Sequence, residues 1–224
     1  MASCRVGPER TSSTTLVAQP DFASSKSFLN APLPQRVGPR PHTQSCLPHA
    51  QMEAESPDEL FSSLKEAAAK RLGDTARADK TTVSVPSTWP AFHLCMPCAS
   101  ETMPHEACMT PGGPGYGLEF AHIHARYIPD DDPIAVAAKR QNAPWQAYQG
   151  GGQGSMHLCL TLHDAAAVLD AGWGELHLLA GQQMGPMHVP RGLVLVYAPR
   201  DESEVAVALD ILAASHSFSK SGTK

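Results

Sequence analysis

Apolar residues recur along this chain with a period of 3.6 in some stretches and of 2 in others, and most of the predicted elements follow from that change of period. Ser56-Pro57-Asp58-Glu59 predicts a helix start: a capping Ser, Pro at the first helical position, and acids in the first turn where the helix dipole favours them. Leu60, Phe61, Leu64, Ala68 and Leu72 then share one face and Gly73 ends the helix, so it is expected to pack on a larger domain. Short strands are predicted at 81–85 and 92–95 on either side of the Pro-bounded turn 86–90.

After the Gly- and Pro-rich run 111–115, residues 118–127 alternate as a strand does. Phe120, His122, His124 and Arg126 are placed on one face, and Ala121, Ile123 and Ala125 on the other. A short helix is predicted over 134–141, and a second alternating strand over 155–162 follows the glycines at 150–152. There Leu158, Leu160 and Leu162 form an apolar face opposite His157, Cys159 and Thr161. Asp164 is read as the cap of a helix running to Ala171 and stopped by Gly172. A loop over 173–190 and a buried strand over 193–197 come next. The last helix starts at an Asp201/Glu204 capping box and carries Val205, Ala208, Leu209 and Leu212 at helical spacing. Strands and helices in this order, with no Gly-rich nucleotide turn, predict an α+β fold: a small, mostly antiparallel sheet with helices packed on one face.

Composition refines the domain plan. Residues 1–51 are rich in Ser, Thr, Pro and Arg, contain two acids (Glu9 and Asp21) and show no period, which predicts a disordered tail; the same composition fits an organelle transit peptide. Residues 52–116 are expected to be the helix plus an irregular Cys-, Pro- and Gly-rich segment packing on the main domain, which spans 117–218, and 219–224 a short tail. A net charge of −5 supplies no basic stripe, so nucleic acid is not an expected partner. No apolar run reaches the length of a membrane span and none resembles a secretory signal, so an intracellular protein, cytoplasmic or organellar, is expected. Reduced thiols are then the default for the six cysteines.

The candidate chemistry lies in histidines. His122 and His124 share a strand face with Cα atoms about 7 Å apart, as a metal site or an acid–base pair requires; His157 lies on the next strand, and His177 in Trp173-Gly174-Glu175-Leu176-His177. On spacing alone, hydrogen-bonded or exposed histidines are an equal alternative. Cys95-Met96-Pro97-Cys98 with His105 and Cys108 allows a Cys3His zinc site or a redox pair, with unligated loop thiols the preferred reading. His42, His49, His93, His163, His188 and His216 are given no role.

Four blocks in order, Glu119-Phe120-Ala121-His122-Ile123-His124, Met156-His157-Leu158, the run 171–181 and Val196-Tyr197-Ala198-Pro199-Arg200, closely resemble the fungal (mushroom) luciferase family over about the C-terminal half. The resemblance implies a luciferase-like, O2-dependent reaction on a small phenolic enol-lactone, with loss of CO2 and no organic cofactor. It implies catalytic roles for His122, His124, His157 and His177, with His122 or His124 as base, and substrate contacts for Glu119, Trp173 and Arg200. For Trp173 and Arg200 a packing role is the preferred alternative. A divalent metal held by the same four histidines would make the protein a hydrolase or oxygenase. A non-catalytic pocket for a small hydrophobic ligand is the remaining alternative. The polar N-terminal segment stands where luminous members have a hydrophobic one, and the Cys-rich and Gly-rich inserts are unlike them, which argues against light emission itself.

Overall fold

The structure, a computed structural model, describes residues 10–45, 49–73, 77–84, 89–96, 103–109, 118–125, 152–184 and 187–221; for 77–84, 89–93, 184 and 187 it describes the backbone alone. A six-stranded antiparallel sheet runs in the order β1 (Arg77–Ser84), β2 (Trp89–Met96), β3 (Leu118–His124), β4 (Met156–Cys159), β8 (Leu193–Val196) and β5 (Gly174–Leu176). A separate two-stranded ribbon joins β6 (Gln183–Met184) and β7 (Met187–His188). The helices are α1 (Thr14–Val17), α2 (Asp58–Leu72), α3 (Leu162–Asp170) and α4 (Glu202–Lys220). The expected α+β architecture is present.

Register decides which side chains share a face. Ala121, Leu158, Val194 and Leu176 stand side by side across β3, β4, β8 and β5, and Ile123, Met156, Val196 and Gly174 form a second row. Both rows are buried, and their apolar side chains join α3, α4 and α2 in one hydrophobic core. A Cβ on Gly174 would collide with the Leu195 carbonyl and touch Val168 of α3, so close helix–sheet approach requires glycine there. The row between them, His122, His157, Leu195 and Glu175, points the other way.

Helix α2 buries the five residues its period predicts. Ser56, however, does not cap it: the hydroxyl donates to the Pro199 carbonyl at 2.6 Å, and Pro57 occupies the cap position. Asp201 caps α4 by accepting from Glu204 N at 2.9 Å, as expected. For α3 the cap is Thr161, whose Oγ1 accepts from Asp164 N at 3.1 Å. Asp164 lies one turn further in, where its carboxylate accepts from Ser27 Oγ (2.5 Å) and Phe28 N (2.8 Å).

Those two bonds are the first of several between the N-terminal segment and the domain. From Arg10 onward the described N-terminal segment has almost no regular structure, yet it forms a strap across the domain. Ordering it costs about 1–2 kcal/mol per residue, and polar anchors offset that cost where apolar ones are few. The Arg36 guanidinium donates to the Ala198 carbonyl (2.9 Å) and Glu204 (3.1 Å), and Arg40 donates to the Leu169 carbonyl at the end of α3 (2.8 Å). The Trp173 indole N–H donates to the Pro34 carbonyl at 2.6 Å. Composition identified the lack of period but not these long-range partners. The expected loop over 173–190 is also corrected, since it contains the edge strand β5 and the β6–β7 ribbon. The helix expected over 134–141 and the face assigned to Arg126 lie outside the described residues.

Candidate functional site

Strands β3, β4 and β5 bring the four expected histidines together on the face opposite the helices, and the strap adds a fifth, His49. His122 and His157 are direct register partners. The His122 Nε2 atom lies 3.2 Å from His124 Nε2 and 3.1 Å from His157 Nδ1. The His157 ring meets His177 edge-on with centroids 4.7 Å apart and stacks on His49 at 5.4 Å. His122, His124, His157 and His49 are buried, whereas His177 is half-buried as a residue although its ring lies among the others.

A β-bulge supplies the first carboxylate. Leu94 faces Ala121 and Cys95 faces Glu119, so Phe120 is the extra residue and alternation breaks there. Glu119 is thereby brought to the histidine face, where its Oε1 accepts from His122 Nδ1 at 2.7 Å. Phe120 turns instead into the core and stacks on His216 of α4 at 5.4 Å. The expected shared face of Phe120 and His122 is corrected for that reason.

The remaining outer partners were not anticipated. His124 Nδ1 lies 2.8 Å from Ser155 Oγ, which itself donates to the Gly152 carbonyl at 2.6 Å. Gly152 has φ +89°, and a Cβ on it would fall 3.0 Å from Ser155 Oγ and 3.4 Å from His124 Nδ1. Only glycine permits this turn beside the ring. His157 Nε2 lies 3.4 Å from His49 Nδ1, and His49 Nε2 lies 2.8 Å from Glu175 Oε1. Glu175 also accepts from Thr43 Oγ1 (2.8 Å), from Tyr197 OH (3.1 Å), and pairs with Arg10 (2.8 Å). Two signals for these partners were present in sequence: Ser155 and His157 alternate, as do Glu175 and His177. His49 had none, because it sits in a segment without period.

Burial, and then the neighbouring rings, push His157 well below the ordinary imidazole value. Burial, followed by His49, His122 and Arg10, does the same to His177, and burial lowers His49 against the pull of Glu175. Burial works to raise the Glu175 carboxyl, but hydrogen bonds from His49 and Thr43 with the Arg10 charge outweigh it and hold it low. Burial thus disfavours the charged form of His49, His157 and His177, while the Glu175 carboxyl is favoured as the carboxylate.

Trp173 and Arg200 are engaged elsewhere. The Trp173 ring is packed in the core with Arg36 over it at 5.6 Å. Arg200 pairs with Glu204 and donates to the Val37 carbonyl at 2.8 Å, which ties the strap to the start of α4. Of the cysteine set, Cys98 lies outside the described residues, and the His105 ring lies tilted against His188 with centroids 5.6 Å apart. Among the described residues, ligand-spaced groups are formed by two histidine triads, His122/His124/His157 and His49/His157/His177.

Residues 150–215 match the model of the Luciferase domain. The chain is 36% identical over 96 residues to luciferases of Armillaria gallica and Armillaria mellea, and 35% identical over 96 residues to the luciferase of Neonothopanus nambi. Each alignment covers 39% of this chain and 34% of the relative, so the chain spans about a third of the length of the curated relatives it matches. No solved structure matches. No helix among the described residues is long and apolar enough to cross a membrane. With the blocks around Glu119, His157, His177 and Tyr197 assembled on one antiparallel sheet, this chain carries a luciferase-like domain similar to that of the fungal luciferases.

Proposed function

We propose that this chain is an enzyme that uses O2 to oxidise a small phenolic or enolisable molecule at the histidine cluster. The observation that carries the reading is the convergence of four buried or half-buried histidines, backed by Glu119 and Glu175, on one face of a luciferase-like domain. Such chemistry asks little of a protein beyond a dry site that takes the substrate's acidic O–H proton, holds the anion and leaves room for O2. The anion itself is the electron donor to O2, which fits a site without an organic cofactor. His122 or His124 takes that proton, the imidazolium so formed holds the anion beside it, and His177 supplies an N–H to a neighbouring oxygen. Trp173 and Arg200 act by holding the strap and β5 in place. The curated relatives named luciferases support the reaction class, and the substrate class rests on chemistry alone.

The test is oxygen uptake by purified protein with a panel of phenolic enol-lactones, read with an oxygen electrode and for released CO2 and light. Substrate-dependent uptake that falls about 100-fold or more in His122→Ala supports the reading. Saturable binding of those compounds without uptake would replace it with the ligand-binding alternative.

A further inference from the structure

The geometry points to a divalent transition-metal site formed by His122 Nε2, His124 Nε2 and His157 Nδ1, with His177 beside the ion as an N–H donor rather than a fourth ligand. The role of the ion in catalysis rests on the reaction proposed above; its binding does not.

The outer partners of the three rings assign the protons around the triangle. Ser155 has one hydroxyl proton, and the Gly152 carbonyl, which has none to give, takes it at 2.6 Å. His124 Nδ1 must then donate to Ser155 Oγ, which leaves His124 Nε2 bare. The Glu119 carboxylate only accepts, so His122 carries its proton on Nδ1 and its Nε2 is bare as well. The third ring is fixed by a longer relay. His49 Nε2 lies 2.8 Å from the Glu175 carboxylate and 3.2 Å from Arg10 Nη1; with its proton directed to the nearer carboxylate, His49 Nδ1 accepts from His157 Nε2, which leaves His157 Nδ1 as a lone pair. Three lone pairs thus face one another with nitrogens 3.2 and 3.1 Å apart along the two edges from His122. Lone pairs at that separation repel one another unless something positive stands between them.

A metal ion removes the repulsion and fits the spacing. Metal–nitrogen bonds of about 2.0–2.1 Å meeting at about 100° set nitrogens about 3.2 Å apart. Each ligand ring has an outer hydrogen-bond partner that fixes its tautomer, the arrangement that metal-binding histidines require. Neutral imidazoles without a carboxylate select zinc, iron(II), cobalt or copper over magnesium or calcium. Three ligands on one side leave open positions, where the ion would acidify a bound O–H as it does water and hold the resulting oxyanion.

The second ligand-spaced triad fails the same accounting. His177 Nδ1 already accepts from Leu179 N at 3.2 Å, so the neutral ring keeps its proton on Nε2, and both nitrogens of His49 are committed. His177 is therefore a donor.

Tagless protein should be titrated with zinc and with cobalt(II), reading elemental content after desalting and the visible cobalt spectrum. The expected result is stoichiometric binding by wild type and His177→Ala, loss in His124→Ala, and binding weakened about 10–100-fold in Glu119→Gln. Glu119→Gln keeps the triad, so it remains informative should His124→Ala not fold. Wild type that stays metal-free, or loss of metal in His177→Ala equal to that in Glu119→Gln, overturns the assignment. Metal-free protein that still takes up oxygen with substrate would remove the ion while leaving the proposed reaction intact; metal-loaded protein inert toward every substrate would do the reverse.

Discussion

The two faces of the sheet are held by different physics. On the helix face, Ala121, Leu158, Val194 and Leu176 meet α3 and α4 through apolar contact, and the periods of 2 and 3.6 describe that packing completely. On the other face, the row His122, His157, Leu195, Glu175 is covered by an irregular strap whose contacts are hydrogen bonds and ion pairs from Arg10, Thr43 and His49. The first face is non-directional and tolerant; the second has a donor or acceptor assigned to nearly every polar atom, as a site that controls tautomers must. The first face is held by packing, and the second by a polar network that also carries the candidate chemistry.

The sharpest test of that division is His122→Ala, which should lower substrate-dependent oxygen uptake by about 100-fold or more. A collapse of stability with unchanged specific activity would refute it. Glu175→Ala removes one member of a buried network and leaves Arg10 and His49 unpaired, so a loss of about 3–5 kcal/mol is expected in a urea titration. A change within error would mean the strap is not held through Glu175. Leu158→Ala, on the helix face, should cost about 2–5 kcal/mol and leave metal content unaltered, because the lost contacts lie away from the histidines.

The smallest effect concerns pH. Burial works to raise the Glu204 carboxyl, but its bonds from Arg200 and Arg36 prevail and hold it below its ordinary value of 4.5. A lowered carboxyl contributes stability above its unfolded value and loses it as pH falls through the folded one. Protection of strap residues 34–40 from hydrogen exchange should therefore be constant from neutrality down to about pH 5 and fall below it. Glu204→Gln should flatten that profile, and an unchanged one would place the anchor elsewhere.

How much was legible differs by face for the same reason. Helix α2 was readable to the residue in its buried positions, because Leu60, Phe61, Leu64, Ala68 and Leu72 repeat with the helix itself. The His-x-His pair was readable because alternation places both rings on one side. Glu119 would have been assigned to the wrong face by alternation, since the bulge at Phe120 depends on the β2 register and not on local sequence. β5 was hidden inside an expected loop, being three residues long and edge-placed. His49 and Arg10 lie more than 100 residues from Glu175, in a segment whose composition matches disorder.

Sequence by itself determined the three longer helices, the buried strands and the likeness to fungal luciferases, since each depends on residues near one another along the chain. Only the tertiary structure decided which group stands against each ring nitrogen of the cluster. Those groups include Glu119, Ser155 and Glu175, and their places are set by contacts between segments that meet only once the strap has closed over the sheet.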